Sequence, residues 1–324
     1  MVFNLHQSAE QMETGEEELL EDEDPFRRNA QIIIEEMVEL NTISSEHTTL
    51  YVDEFLHSIF FLGKIKNSPK YTPQMIVGDD EMYDALKEDY PRAFELYSSQ
   101  LPKRSPLSCV LDMIVHLEGQ QNEDLIIKRL QQLICRLKED KRDELVSSTI
   151  CVSQKSNIPN SDRYYGVSMS TSGREAGQIV IAASCLSIWD DYVAGAVMTY
   201  YPEWVKKKYF DGTIKLSEDV RCQAFSLCKG GPMLPCISCA NLFGLMKSEN
   251  KEWAYGNCAE AESLSNLLKQ EENVKKKARP TSTLWTEKNR QRATERVMKY
   301  LRRTLLSIEF QWDDNFYTPQ MEDI

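Results

Sequence analysis

Apolar positions recur at helical spacing through the first half of the chain and at strand-like spacing only in the second. Ile32, Ile33, Met37 and Leu40 repeat at roughly helical intervals, and Tyr51, Phe55, Ile59 and Leu62 come next at four, four and three. Leu125, Ile126, Leu130, Leu133, Ile134 and Leu137 form an amphipathic stripe within 122–144. Breakers at Ser68-Pro69, Tyr71-Thr72-Pro73, Tyr90-Pro91, Pro102 and Pro106 divide this half. The pattern predicts a helical domain over 26–148, with five or six helices.

The texture changes after Ser148. Thr149–Ser153 is a short run of β formers, and Tyr164–Ser170 alternates. Ser172-Gly173-Arg174 is a turn signal and Gln178–Ser184 is apolar, so the spacing predicts a β-hairpin about that turn. A helix is expected over Ile188–Lys208 and a further strand over Cys222–Cys228. Alternating strands and helices predict an α/β domain over 149–324, and an α+β chain overall.

Charge refines this picture. The formal net charge is −13, but residues 1–25 hold nine acids and no Lys or Arg. The remaining 299 residues therefore carry only −4, so acidity of the folded body does not exclude a nucleic-acid partner. Residues 1–25 read as an acidic disordered tail. The best apolar run, Ile179–Leu186, is far short of the ~20 residues a membrane span needs. The N-terminus has no basic and apolar signal pattern, so a cytoplasmic chain is expected. Nine cysteines are too sparse for a disulfide scaffold and read as core thiols or metal ligands in a reducing compartment. The four histidines (His6, His47, His57, His116) show no metal-ligand spacing.

The chemistry-bearing stretch is Gly230-Gly231-Pro232-Met233-Leu234-Pro235-Cys236-Ile237-Ser238-Cys239, with Tyr255-Gly256-Asn257-Cys258-Ala259-Glu260 after it. A C-x-x-C pair puts two thiolates on one turn, and Pro235 fits a helix start. A helix N-terminus favours the thiolate. Gly256-Asn257 is a second helix-start signal, and Leu264, Leu267 and Leu268 lie on the apolar side of the helix expected beyond it. Two helix starts facing each other would gather three thiolates, with Glu260 in the same first turn as Cys258.

These residues resemble the zinc-dependent cytidine and nucleobase deaminases, which combine a His- or Cys-Ala-Glu motif with a Pro-Cys-x-x-Cys motif, each at a helix start. The resemblance covers at most the C-terminal half. It implies Zn2+ held by Cys236, Cys239 and Cys258, with Glu260 as the catalytic acid/base that moves protons without ligating. It also implies a deaminase-like fold, and a substrate that is a nucleoside or a base in single-stranded nucleic acid. In that family the Glu-bearing motif comes first, and here it comes second, 18 residues separating Cys239 from Cys258. The domain would then be rewired or permuted, with Asn250–Gly256 as a short strand between the two helices.

Two other readings of the cysteines stand beside this one. Cys228, or Cys222 in its place, would complete a four-thiolate structural zinc site with no chemistry. Without metal, the cysteines would be small buried hydrophobes. The non-catalytic alternative is a zinc-stabilised interaction or regulatory protein, a nucleic-acid-binding effector being one version, with the helical domain meeting a protein partner.

Between Lys269 and Arg303, twelve basic residues face four acids, a balance of +8. Arg292, Arg296, Lys299 and Arg303 share one helix face, and Ala293, Val297, Leu301, Leu305 and Ile308 another. The basic face would suit a phosphate backbone, with Trp285 and Tyr300 stacking on bases, or it is a solvated face with both rings in the core. Lys275-Lys276-Lys277-Ala278-Arg279-Pro280 reads as an exposed basic cluster that could serve nuclear import.

Overall fold

The computed structural model describes residues 24–44, 48–66, 70–137, 144–156, 158, 160–246 and 251–320. The expected tail therefore lies outside the described residues, apart from Asp24 and Pro25 at the start of the first helix. Among the described residues, seven helices precede the sheet: α1 (Pro25–Ile43), α2 (Thr49–Ile65), α3 (Pro73–Val77), α4 (Asp80–Asp89), α5 (Pro91–Leu96), α6 (Pro106–Glu118) and α7 (Glu123–Leu137). Pro25, Pro73, Pro91 and Pro106 each sit in a first helical turn. A missing N–H costs nothing there, so prolines that read as breakers act as helix starts. The amphipathic stripe of α7 is buried from Ile126 onward, whereas Leu125 is exposed.

The second half contains β1 (Thr149–Lys155), β2 (Arg163–Val167), α8 (Gly173–Ser187), α9 (Asp191–Tyr200), β3 (Val220–Ser226), β4 (Pro232–Met233), α10 (Ile237–Phe243), α11 (Ala259–Gln270), α12 (Glu272–Lys277) and α13 (Glu287–Ser307). The sheet order is β2-β1-β3-β4 and every pairing is antiparallel. The chain is therefore α+β as expected, but its sheet lacks the parallel crossovers of an α/β domain.

Three local expectations are corrected. Gln178–Ser184 is not a strand: it lies inside α8, and β2 pairs with β1 instead. Ile179 to Ala183 are buried in succession, and a short all-apolar run cannot separate a buried strand from a buried helix by periodicity. The helix expected over 188–208 is confined to α9, capped by the Asp190 carboxylate on the Tyr192 N–H (2.9 Å) and stopped ahead of Pro202. No strand forms in 251–256, where a turn at Tyr255-Gly256 leads into α11.

A contiguous apolar cluster runs from Phe26 in α1 to Phe310 after α13 and includes the inward faces of both halves. The C-terminal segment closes it. Tyr317 is fully buried, stacks on His57 with ring centroids 3.8 Å apart, and donates to the Asp53 carboxylate at 2.7 Å. His57 is thus a core histidine, bonded through Nε2 to the Leu96 carbonyl. No helix among the described residues is long and apolar enough to cross a membrane.

The feature that positions the site is α11 lying across β1 and β2. The closest approach is at Gly166 in β2. A Cβ there would stand 2.4 Å from the Ser263 nitrogen and 2.6 Å from the Ala259 carbonyl oxygen. Glycine is required at this point because the helix backbone occupies the space a side chain would need. Glu262 ties the same two elements, accepting the Val167 N–H at 2.8 Å.

Candidate metal centre

Cys236 is the N-cap residue of α10, and its sulfur accepts the Cys239 N–H at 3.5 Å. Cys239 lies one turn on and is fully buried. Cys258 is the N-cap residue of α11. Residues 251–257 bring the two N-termini together because they are stitched back onto α10. Ile237 N–H donates to the Lys251 carbonyl (2.9 Å), and the Ser238 hydroxyl bonds both the Trp253 carbonyl (2.6 Å) and the Trp253 N–H (3.0 Å). Asn241 donates to the Tyr255 hydroxyl at 2.8 Å. Gly256 then turns at φ +93°, a conformation L side chains rarely adopt. The Asn257 carbonyl accepts from Met169 N–H at 2.9 Å, which fixes the last link to the segment after β2.

The result is a three-sulfur cluster. The Sγ atoms of Cys236, Cys239 and Cys258 all lie within 4.8 Å of one another, and those of Cys236 and Cys258 are 3.6 Å apart. Tetrahedral zinc with ligands at about 2.3 Å places its sulfurs about 3.8 Å apart. The donor chemistry and spacing therefore fit a borderline-soft cation such as zinc. Hydrogen bonds from the Cys239 and Cys258 thiols, and from the Cys239 and Ser238 backbone N–H groups, hold the Cys236 thiol far below its ordinary range. The same contacts with Cys236 push Cys239 and Cys258 up, with burial adding to both. A divalent cation bound by these sulfurs would displace the thiol protons.

Glu260 sits in the first turn of α11, 5 % exposed, and interacts with the Cys239 thiol. Burial raises its carboxyl pKa. Glu260, Cys236 and Cys258 line a cavity of about 100 Å³ together with Ser148, Thr149, Ser168, Asn257 and Trp253. Asn257 belonged to a recognisable turn signal, but the serines, the threonine and Trp253 carry no motif. Only the β1–β2 pairing and the loop stitched to α10 bring them here.

Cys228 lies exposed in the turn after β3, and Cys222 lies against Cys151 with sulfurs 3.6 Å apart. Among the described residues neither belongs to the cluster, which comprises three thiols. The other candidate face is on α13. There the Arg292 guanidinium stands 4.0 Å over the Tyr209 ring, and Arg303 stands 5.4 Å over Tyr300. Arg296 Nε donates to Glu203 at 2.6 Å. Lys299 is exposed and lines a 210 Å³ hollow with Arg296, Tyr300 and Arg303. Trp285 packs inward against Phe210 and Tyr192, and the Tyr300 hydroxyl donates to Gln178 at 2.8 Å. In the 275–279 cluster, Lys275 is held by Asp190 (2.6 Å) and Lys277 by Asp219 (2.7 Å). No protein family, curated protein or solved structure matches this chain.

Proposed function

We propose that this protein is a zinc-dependent hydrolytic deaminase acting on a cytosine- or adenine-type base. The observation that carries the reading is a buried three-thiol cluster built from two helix N-caps, with the Glu260 carboxyl beside it in a base-sized cavity. Cys236, Cys239 and Cys258 would hold zinc. Three protein ligands are the number catalytic zinc sites use, and bound zinc makes water nucleophilic at neutral pH. The chain's own residues do the rest. Glu260 takes a proton from the attacking water and gives it to the ring nitrogen. It then takes the second water proton and delivers it to the exocyclic nitrogen, so that amine plus water becomes carbonyl plus ammonia. The hydroxyls of Ser148, Thr149 and Ser168 and the Asn257 side chain supply donors and acceptors for a ring edge in a site otherwise walled by Ala224, Met233, Leu234 and Trp253.

The test is zinc quantification on purified protein, with ammonia release measured from nucleosides and oligonucleotides for wild type and Glu260→Gln. About one zinc per chain and Glu260-dependent release are expected. Full zinc occupancy with no release from any of these substrates would leave the non-catalytic, zinc-stabilised interaction protein as the surviving reading.

A further inference from the structure

The cationic face of α13 is not isolated from the sulfur cluster. Arg296 binds Glu203, and the next residue is Trp204, held at φ +61° and 39 % exposed. The Trp204 ring meets Tyr255 edge-on at 6.4 Å. Tyr255 is three residues before Cys258, and Trp253 at the cavity wall is 50 % exposed, with Lys251 Nζ 5.9 Å from its centroid. A buried ring, Tyr255, thus links the exposed Trp204 beside α13 to the segment that carries Trp253 and Cys258.

Along α13 the cations occupy positions 292, 296, 299 and 303. Eleven residues of helix rise about 16 Å, room for several phosphates. Stacking on Tyr209 and Tyr300 pre-orients the guanidinium planes of Arg292 and Arg303 while leaving their edges to donate. Glu203 neutralises one of the four, and Glu295 flanks the row beside Gln291. A net positive ridge remains, with one solvent-facing indole, Trp204, beside its Glu203 partner and a second, Trp253, at the cavity.

We propose that this ridge binds the backbone of a single-stranded polynucleotide, so that the base presented to the cavity belongs to a polymer rather than to a free nucleoside. The proposal rests on the reading of the centre as base-processing. Cations that track a backbone, interleaved with exposed rings on which splayed bases stack, are the physical requirements for single-strand binding. A duplex hides its base faces, and an acidic peptide has no use for the indoles.

The experiment is fluorescence anisotropy with a labelled 15-mer oligothymidylate, whose base has no exocyclic amine, so binding is read without turnover. Log affinity against log salt is expected to slope by about −0.7 for each phosphate contact. Lys299→Ala with Arg303→Ala should cost tenfold or more in affinity and make the slope shallower by about 1.4. Both side chains are exposed, so melting should match wild type; Lys299→Glu alone is the second variant, expected to weaken binding in the same direction. Trp204→Ala should lose at least fivefold with no change of slope, because stacking releases no counterions. Unchanged affinity in the α13 variants overturns the proposal. So does tighter binding of a duplex, or equal binding of an oligoglutamate peptide with no effect of Trp204→Ala. The two readings fail separately. Ridge-dependent oligothymidylate binding without ammonia from any strand sinks the enzyme and supports the ridge. Ammonia from free nucleosides, with oligothymidylate binding indifferent to Lys299 and Arg303, sinks the ridge and keeps the enzyme.

Discussion

Gly166→Ala is the sharpest test of how the site is held, because it touches neither a thiol nor Glu260. The added Cβ would meet the Ser263 nitrogen at 2.4 Å, the Ala259 carbonyl oxygen at 2.6 Å and the Glu262 Cβ at 2.8 Å. Two of these are backbone atoms of α11 and cannot rotate away. Ordinary van der Waals separation therefore requires α11 to retreat from β2 by about 1 Å. Overpacking of this kind costs about 1–3 kcal/mol. The retreat also carries Cys258 and Glu260 away from α10, so zinc affinity should fall by about ten- to a hundredfold, the scale on which displaced supporting contacts act on metal sites. The control is Gly177→Ala in α8, whose nearest neighbour would be a side-chain oxygen at 3.3 Å. That change should be neutral, or stabilise by up to about 1 kcal/mol through the helix preference of alanine. Urea unfolding of the metal-free protein gives the first quantity, and titration against a chromophoric zinc chelator gives the second. A Gly166→Ala protein that matches wild type in both would refute the account of β2 and α11 as a close-packed seat for the centre.

Three further outcomes are expected from particular contacts. Glu262 is pushed up to about 7 by burial, so its folded form prefers the proton; its contribution is fully present below the ordinary carboxylate range and is lost as pH rises through about 7. His57, pushed down to about 3 by burial, works oppositely, so the quantity to measure is the stability difference between wild type and Glu262→Gln. It should shift by roughly 1–2 kcal/mol against wild type from pH 5 to pH 8, and a flat difference would show that the carboxylate is well solvated. Arg104, which donates to Glu54 at 2.7 Å and also pairs with Asp112, should cost about 3–5 kcal/mol when replaced by Ala, read by urea unfolding, because two carboxylates lose their cation. Free zinc at a hundredfold over its dissociation constant should stabilise wild type by about 2.7 kcal/mol, and Cys258→Ser should abolish most of that gain in thermal melting.

The parts of the molecule that could be read in advance were those where one local signal decides the outcome. The 3.6-residue stripe of α7 buries one side against a neighbour, and Pro235-Cys236 and Asn257-Cys258 start helices by simple backbone chemistry. Gln178–Ser184 misled because a segment buried on all sides has no polar face, so the period that separates helix from strand is erased. The partners of Glu260 were hidden for a different reason. Ser148, Thr149 and Ser168 reach the cavity through the antiparallel register of β1 and β2, which pairs Ile150 with Val167. Such long-range pairing leaves no mark in a short stretch of sequence. Trp285 and Arg296 show the same limit from the surface: spacing assigns a helix face, but only the packed neighbours Phe210 and Glu203 determine what that face offers to solvent.

Chain order and site geometry separate cleanly in this fold. The cysteine pair on α10 precedes Cys258 on α11, yet the loop between them does not set the sulfur spacing by its length. Two sets of contacts away from the sulfurs support their spacing. One is the set of bonds from Ser238 and Asn241 to Trp253 and Tyr255, which fixes the loop to α10. The other is the contact of Gly166 with Ser263 and Ala259, which fixes α11 to the sheet. The first acts through α10 and the second through α11, so loss of either would let the sulfurs move apart. Ser238→Ala removes the two Trp253 bonds of the first set, leaving Asn241–Tyr255, without touching a ligand. It should weaken zinc binding while leaving the α11–β2 contact and most of the unfolding free energy intact. If zinc affinity stayed the same while global stability collapsed, the loop bonds would be supporting the fold rather than the centre.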